Sequence, residues 1–243
     1  MSHPVSPDTL AALADLDTCS VCNAIEQFGV RLRNEGFTDA SIQCRFPALP
    51  PMVGYAMTLR VRSSSPSWKG GNYLDRTDWW SRLQEHPAPH VLVIEDEDRH
   101  PGTGAFIGEI HAAILQALGS VGAITNGAVR DIPGIKRLGF HVFSTSVAVS
   151  HAYAHIVEIG GPVKIGGLRI ASGDLLHGDQ HGIVQVPTQI AEKIPGTAAD
   201  IQKREGKIIT YCQSADFSVD HLKNLIDGAG HSPSTPPDAA RGN

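Results

Sequence analysis

Residues able to do chemistry gather in two loops near the middle of the chain. The first, glycine-rich, holds Gly102, Gly104, Gly108 and Glu109, and the second, NGAVRD, holds Asn126, Gly127, Arg130 and Asp131. An arginine can hold a carboxylate through two parallel hydrogen bonds, and an aspartate offers the hard oxygen that Mg²⁺ or Mn²⁺ prefers. With Glu109 as a second carboxylate, these residues could hold an anionic substrate beside a divalent cation. The simpler alternative is that Arg130 and Asp131 form an ordinary surface ion pair.

The predicted elements around these loops would bring them to one edge of a sheet. Apolar runs over 91–96, 121–126 and 140–145 are typical of buried strands, and helices are predicted over 106–118 and 133–139. Two successive βα units give neighbouring parallel strands, and ligands bind at the carboxyl ends of such strands. The helix over 106–118 would also present its first N–H groups and its dipole to an anion. Its apolar stripe is predicted at the positions Ile110, Ala113, Ile114, Ala117 and Leu118.

The amino-terminal part predicts two helices, a strand and a third helix. Apolar spacing predicts a helix over 8–16 and a second that Thr18 or Ser20 caps and that ends near Phe28. Alternation predicts a strand over 53–62, and DRTDWWSRLQEH predicts a helix over 75–86. Trp79 and Trp80 in that helix are expected in the core or in a subunit interface.

The second half of the chain has a different pattern. Short runs separated by glycine turns are typical of antiparallel strands: AHIVEIG, VKIG, LRIA, DLLHG and GIVQVP. Helices are predicted over 188–205 and in FSVDHLKNLID. We therefore predict a single α/β domain over 1–227, with a parallel central sheet portion and a β-rich second half. The tail over 228–243, rich in Pro, Gly and Ser, is predicted to be disordered.

Composition excludes several classes of partner. The chain has 243 residues and a formal net charge of −5 without a basic stripe, which disfavours nucleic acid. No stretch approaches the roughly 20 apolar residues that a membrane span needs, and no basic segment precedes an apolar run at the start. Four cysteines in a chain this long are not a disulfide framework. We expect a cytoplasmic protein with no nucleic-acid or membrane partner.

Four other patterns do not indicate a functional site. Cys19 and Cys22 are expected to be a packed, non-reactive pair on an amphipathic helix. Four histidines of the second half are expected to be structural or solvated, namely His151, His155, His177 and His181. The spacing G-x-G-x-x-x-G misses the dinucleotide-binding fingerprint. A Schiff-base mechanism would need a desolvated lysine, and Lys164, the one lysine in a predicted strand, is expected at a turn.

From Gly108 to Pro187 the chain resembles the RraA-like family, in segments that include GAITNGAVRDIPGIKRLGFHVFST and GGPVKIGGLRIASGDLLHGDQHGIVQVP. Its members include class II pyruvate aldolases that act on 4-hydroxy-4-methyl-2-oxoglutarate and 4-carboxy-4-hydroxy-2-oxoadipate. Those aldolases carry an acidic residue, twenty residues and then Arg-Asp, as Glu109, Arg130 and Asp131 do here. With LDTCSVCNAIEQFG and VGYAMTLRV the resemblance spans roughly 10–205. It implies a swivelling β/β/α-type fold, trimers or hexamers, and an active site between subunits.

The resemblance also implies roles for the charged residues. Asp131 would ligate a Mg²⁺ or Mn²⁺ ion that keeps most of its waters. Arg130 would bind the carboxylate and carbonyl of the pyruvyl group, and Glu109 would hold water at the metal. Glu109 stands where the aldolases usually have Asp, and Asn126 stands where a "DG" pair is common.

Further contacts are implied at the start of the central helix and across the subunit boundary. Backbone amides around Gly108, Ile110 and His111 would bind the substrate. A glutamate from the last helices of a neighbouring subunit would complete the site, and Glu205 is the candidate.

These features predict a divalent-metal-dependent carbon–carbon lyase. It would cleave a 2-oxo dicarboxylic or tricarboxylic acid to release pyruvate, with oxaloacetate decarboxylation as a side activity. One alternative is a non-catalytic RraA-like regulator that binds a protein partner, although regulators that have lost the metal ligand differ from this chain at Asp131. Another is a metal-dependent decarboxylase or hydrolase that acts on a different acid.

Overall fold

The computed structural model describes residues 5–68, 78–85 and 88–228. Its α-helices are α1 (Pro7–Ala14), α2 (Thr18–Glu26), α3 (Asp78–Gln84), α4 (Glu109–Ala117), α5 (Ile132–Leu138), α6 (Ile194–Cys212) and α7 (Val219–Gly228), and a 3-10 turn (Ala191–Lys193) precedes α6. Its strands are β1 (Gln43–Cys44), β2 (Met52–Arg62), β3 (His90–Asp96), β4 (Ala105–Ile107), β5 (Ser120–Thr125), β6 (Ala128–Val129), β7 (His141–Ser144), β8 (Ser146–Val147), β9 (His155–Ile159), β10 (Val163–Ile165), β11 (Leu168–Ile170), β12 (Leu175–Asp179) and β13 (Gly182–Val186).

One large sheet organises the fold. Its strand order is β1-β7-β5-β3-β2-β12-β13, with β9 also paired to β2. The four central strands β2, β3, β5 and β7 run parallel to one another. β9 and β12 each pair antiparallel to β2, and β13 pairs antiparallel to β12. The predicted α/β fold class, with a parallel centre and a β-rich second half, is confirmed. The predicted tail follows Gly228 and lies outside the described residues.

A second, smaller sheet lies beyond the carboxyl ends of the central strands. It contains the short parallel strands β4, β6 and β8 in that order. Each of them follows one central strand along the chain, β4 after β3, β6 after β5 and β8 after β7. The three central strands therefore each continue into a short strand of a second layer, and α4 and α5 start from that layer.

The start of α4 corrects the sequence analysis. Residues 105–107 form β4 and not the first turn of a helix, because Gly108 is extended and the helix begins at Glu109. The predicted apolar stripe is also wrong. The buried residues of α4 are His111, Ala112 and Leu115, whereas Ile110 is 60% exposed. Which face of α4 is buried depends on the direction in which β4 leads into the helix, and the hydrophobicity of its residues alone does not show this.

Three apolar clusters cover the large sheet. The first packs α3, α4 and α5 on one face, where the Trp79 side chain is fully buried, as predicted for a core residue. The second joins α1, α2 and α6 to β12 and β13. The third packs the β10–β11 hairpin on the opposite side. The central strands are buried on both faces, which is why they appear in the sequence as continuous apolar runs.

Two further helix boundaries differ from the predictions. The cap of α2 is Asp17, whose Oδ1 accepts a hydrogen bond from Ser20 N, and neither Thr18 nor Ser20 caps the helix. The helix predicted over 188–205 begins as the 3-10 turn and continues as α6 to Cys212. Gly206 does not end it, because a lone glycine inside a helix costs only about 1 kcal/mol. In the described part of the chain, no helix has both the length and the apolar character needed to cross a bilayer.

Candidate active site

The two chemistry-bearing loops lie side by side at one edge of the sheet, as predicted. The amide of Asn126, just after β5, brackets the backbone of Asp96 at the end of β3. Asn126 Nδ2 donates to Asp96 O at 3.0 Å, and Asn126 Oδ1 accepts from Asp96 N at 2.7 Å. An aspartate could not donate the first of these bonds. The amide at Asn126 therefore ties the ends of two neighbouring strands together.

A buried carboxylate holds the first loop in place. Asp96 is 3% exposed, and its Oδ2 accepts from Gly102 N at 2.8 Å while its Oδ1 accepts from Asp98 N at 3.1 Å. Burial raises the pKa of the Asp96 carboxyl. The sequence analysis did not single out this residue. Its signal was an acid at the end of a buried strand directly before a glycine-rich loop.

The small sheet brings the two loops into contact. Arg130 N donates to Ile107 O at 3.0 Å, and Glu109 N donates to Asp131 Oδ2 at 3.2 Å. Gly108 lies directly against this carboxylate, since a Cβ built on it would be 2.5 Å from Asp131 Oδ2. A side chain at position 108 would therefore require the Asp131 carboxylate to move.

Asp131 adopts an unusual backbone conformation. Its φ of 56° and ψ of 37° lie in the left-handed region, at the N-cap of α5. Its carboxylate bonds to Glu109 N and Arg130 Nε, and not to the amides of its own helix. Non-glycine residues in this region are uncommon and concentrate at functional sites. The conformation turns the carboxylate away from α5 and towards the start of α4.

Arg130 and Asp131 form an ion pair. Arg130 Nε lies 3.2 Å from both carboxylate oxygens, and the side chains are 32% and 37% exposed. This contact uses one of the five N–H donors of a guanidinium, and the other four belong to the two terminal nitrogens. The pair postulated by the simpler alternative therefore exists. However, it lies at the meeting point of two helix starts, where a guanidinium can also bind an anion.

Glu109 belongs to a second ion pair beside the first. Arg137 Nη2 donates to Glu109 Oε1 at 3.1 Å. The glutamate carboxylate packs over Gly134, where a Cβ would be 2.3 Å from Glu109 Cδ. Arg137 was missed by sequence reasoning, although its place in the last turn of α5 was visible from the helix prediction. The longer arm of Glu109 is thus fixed by α5.

The side chains of Ile110 and His111 point in opposite directions. Ile110 is exposed at the start of α4, while His111 is 2% exposed and its Nδ1 lies 2.7 Å from Phe106 O. Burial lowers the pKa of the His111 imidazole. The first N–H groups of a helix have no acceptor within it, so the contact of these backbone amides with a substrate stays a prediction. The imidazole of His111 faces the core instead.

Glu205 lies in a different layer of the molecule. It is exposed on α6, beyond Ile201, the last buried residue of that helix. The buried part of α6 packs with α1 and α2, whereas α4 and α5 pack in the other cluster. Within one chain Glu205 is therefore not brought to the Arg130–Asp131 pair.

The donor set suits one kind of metal. The described residues contain no group of three or more His, Cys, Asp or Glu side chains that could hold an ion. Zinc sites in proteins usually need three or four such ligands, whereas Mg²⁺ keeps several waters and binds through one or two carboxylates. Asp131, with the Glu109 carboxylate nearby, fits Mg²⁺ or Mn²⁺.

The other candidate residues have structural surroundings. Cys22 is half-buried on α2, but Cys19 is exposed, so the prediction of a packed pair is wrong for Cys19. Partial desolvation raises the pKa of both thiols, which disfavours the reactive thiolate. His177 is fully buried, with Nε2 3.0 Å from both Leu13 O and Leu16 O. This histidine fastens the end of α1 to β12.

A pocket of about 570 Å³ lies at the opposite edge of the parallel strands. Its lining includes Pro89, Ser120 and His141, which stand at the amino-terminal ends of β3, β5 and β7, together with residues of α1. Among the described residues, the lining contains no carboxylate and no arginine. It therefore lacks the groups that a metal or an anionic substrate needs, and the charged cluster remains the candidate site.

Comparisons with known proteins identify the family of this chain. The family model RraA-like (Aldolase/RraA) matches residues 18–185. A protein from Halalkalibacterium halodurans named "Putative 4-hydroxy-4-methyl-2-oxoglutarate aldolase" is 33% identical over 163 residues, which are 65% of this chain and 71% of that protein.

Two solved structures share the fold. An uncharacterized protein from Pseudomonas syringae pv. tomato has a TM-score of 0.69 at 23% identity, covering 93% of this chain and 100% of that one. RraAS2 from Streptomyces coelicolor, described as an unusual member of the RNase ES inhibitor RraA protein family, has a TM-score of 0.65 at 22% identity, covering 85% and 98%. The chain belongs to the RraA-like family.

Proposed function

We propose that this protein is a divalent-metal-dependent carbon–carbon lyase. It cleaves a 2-oxo acid with a second carboxylate and releases pyruvate, and it decarboxylates oxaloacetate as a side reaction. The contact between Glu109 N and Asp131 Oδ2 carries the proposal, because it places Arg130, Asp131 and Glu109 in one cluster at two helix starts. The 33% identity to a protein named as an aldolase supports the same reaction class.

Arg130 binds the reacting end of the substrate in this mechanism. Its terminal nitrogens donate to the carboxylate and to the 2-oxo oxygen of the pyruvyl group. As the bond between C3 and C4 breaks, its electron pair moves towards the 2-oxo oxygen and an enolate develops. The 4-hydroxyl group gives up its proton and becomes the carbonyl of the second product, and the enolate then takes a proton at C3 to give pyruvate. The fixed positive charge of Arg130 stabilises this oxygen more strongly in the transition state than in the substrate.

Two carboxylates serve the metal and the protons. Asp131 would hold Mg²⁺ or Mn²⁺, with Glu109 close by, and the ion when bound supplies Lewis-acid stabilisation of the developing negative charge. Glu109 Oε1 is fixed by Arg137. Glu109 Oε2 is therefore the atom placed to accept a hydrogen bond from a water that carries the proton between steps.

A neighbouring subunit completes the site in this proposal. The Arg130 and Asp131 side chains are about one third exposed in a single chain. Charge stabilisation is much stronger where water is excluded. We therefore expect another part of the assembly to shield these side chains from solvent. The outer part of α6 and all of α7 have exposed apolar residues available for such a contact, among them Ile209, Val219 and Ile226. We propose a homotrimer or hexamer in which Glu205 of one subunit reaches the cluster of the next.

The test is release of pyruvate, followed by reduction with lactate dehydrogenase and NADH. Purified protein is assayed with 4-hydroxy-4-methyl-2-oxoglutarate and with oxaloacetate, with Mg²⁺, with Mn²⁺ and with EDTA. We expect pyruvate from both acids with either metal and none in EDTA. A folded protein that forms no pyruvate from a panel of 2-oxo di- and tricarboxylic acids would instead favour the non-catalytic regulator. Product from another acid without pyruvate would favour a different metal-dependent decarboxylase or hydrolase.

A further inference from the structure

His111 is a buried polar side chain that the mechanism above does not use. It occupies the first turn of α4 and faces the core, in the apolar face completed by Ala112 and Leu115. Burying an imidazole is costly unless its polar atoms are hydrogen-bonded. The hydrogen-bond acceptor of His111 therefore indicates the structural role of this imidazole.

The imidazole reaches back to the strand before its own helix. His111 Nδ1 lies 2.7 Å from Phe106 O. Because a carbonyl oxygen only accepts, Nδ1 carries the proton and donates it to this bond. The bond spans Ile107, the last residue of β4, and Gly108, which connects β4 to α4. The His111 side chain thus links α4 to β4 in addition to the covalent backbone.

Aromatic packing holds the same connection from the other side. The His111 ring stacks on the Phe106 ring, with centroids 4.7 Å apart and planes inclined by 15°. The buried Trp79 ring of α3 lies 6.1 Å from His111 and 6.2 Å from Phe106. Phe106 is therefore fixed through both its carbonyl group and its side chain.

The residues that follow Phe106 make the contacts between the two loops. Ile107 O accepts from Arg130 N, and Glu109 N donates to Asp131 Oδ2. Any shift of the end of β4 changes both distances. The tie from α4 to Phe106 therefore acts on the site through the backbone.

We propose that the imidazole of His111 is a positioning residue that sets the place of Glu109 N against Asp131 by binding Phe106 O. It touches neither substrate nor metal. The test of this inference by pyruvate release rests on the proposed lyase function, whereas its test by hydrogen–deuterium exchange does not.

Two substitutions separate the hydrogen bond from the ring. His111→Phe keeps an aromatic ring and removes the donor. His111→Asn keeps an N–H donor at nearly the same distance from the backbone and removes the ring. If the bond to Phe106 positions the site, His111→Phe is impaired and His111→Asn is largely restored.

His141 offers a matched control. It is also buried, its Nε2 lies 2.6 Å from Pro50 O, and its ring stacks on Phe143 at 5.5 Å and 16°. However, it begins β7, at the edge of the sheet away from the charged cluster. His141→Phe therefore removes a similar bond without touching the connection between β4 and α4.

Three measurements test the proposal in the full-length protein. The first is hydrogen–deuterium exchange of peptides that cover 105–112, and the second is Mn²⁺ affinity by titration calorimetry without substrate. The third is the kcat and KM of pyruvate release. In His111→Phe we expect faster exchange, weaker Mn²⁺ binding and a kcat lower by about 10- to 100-fold, the effect of a displacement of up to about 1 Å. KM should change little, and His111→Asn and His141→Phe should resemble the wild type in all three.

Several results would overturn the proposal. If His111→Phe and His141→Phe lose similar thermal stability and both keep wild-type exchange, Mn²⁺ affinity and kcat, His111 is a core residue only. If His111→Asn is as impaired as His111→Phe, the ring matters and the bond does not. A wild type that releases no pyruvate defeats the proposed function instead, and the exchange comparison still decides the role of His111.

Discussion

Glu109 N and Asp131 Oδ2 lie 3.2 Å apart, although they come from the starts of two different helices. Glu109 opens α4, and Asp131 is the N-cap of α5. The positive ends of both helix dipoles thus point towards the same small volume. An anion or a metal-bound carboxylate placed there is stabilised from two directions.

The first prediction concerns the metal ligand. Asp131→Ala removes the carboxylate expected to bind Mg²⁺, and pyruvate release should fall by at least about 10³-fold, the scale of losing one electrostatic stabiliser. EDTA should have the same effect on the wild type, and added Mn²⁺ should rescue only the wild type. Full activity of the wild type in EDTA would contradict metal dependence.

The second prediction concerns the shape of the cation at position 130. Arg130→Lys keeps the charge but loses the planar fork. If Arg130 holds the carboxylate and the developing enolate together, kcat and kcat/KM should both fall strongly while the melting temperature changes little. A mere surface pair would leave turnover normal and stability within about 0.5 kcal/mol. Steady-state kinetics with oxaloacetate distinguish these outcomes.

The third prediction concerns the space between the two loops. Gly108→Ala would place a Cβ 2.5 Å from Asp131 Oδ2. The carboxylate must move, so Mn²⁺ affinity and kcat should each fall by about tenfold or more. Gly196→Ala is the control, because a Cβ there meets nothing within 4 Å. Equal activity of the two variants would show that the close approach does not matter.

The fourth prediction concerns the subunit boundary. Glu205→Gln removes one charge and should lower kcat without changing the oligomer size in light scattering. Mixed with Asp131→Ala protein, it should recover part of the activity, because some sites would then combine an intact Asp131 and an intact Glu205 from different chains. Once subunit exchange has been verified, an absence of recovery would mean that Glu205 does not act across the boundary.

The fifth prediction concerns acid stability. Burial lowers the pKa of His141 and His177 below the ordinary value of 6.5. Below that value the unfolded chain binds more protons than the folded one, so the free energy of unfolding should decrease as the pH is lowered, by up to about 1.4 kcal/mol per pH unit for each imidazole. Asp96, whose pKa is raised, acts in the opposite direction. Urea unfolding between about pH 7 and pH 5 measures this, and His177→Gln should reduce the slope. Unchanged stability over this range would contradict it.

The central strands and the proximity of the two loops could be predicted because strands buried on both faces appear in the sequence as continuous apolar runs. VLVIED and VGAITN are apolar on both faces, and this fixes β3 and β5 as parallel neighbours with their loops at one edge. The Arg-Asp pair and the acid twenty residues before it then fall together. The family resemblance, now confirmed by the family model, added roles that periodicity alone could not assign.

Other features left no periodic signal. Strands of two or three residues such as β6 and β4 are too short to show alternation, so the second sheet was missed. The burial of His111 and the exposure of Ile110 run against hydrophobicity. They follow from the orientation that Gly108 gives to α4, which only the three-dimensional arrangement determines.

The continuation of β3, β5 and β7 into β4, β6 and β8 gives the molecule two tiers. The lower tier carries most of the apolar core, and the upper tier leads into the charged residues of the candidate site. A substitution in the upper tier can change what is recognised while the lower tier still folds. Such a division of labour lets one architecture diversify. It accounts for how a family can include both aldolases and RraA proteins without rebuilding its core.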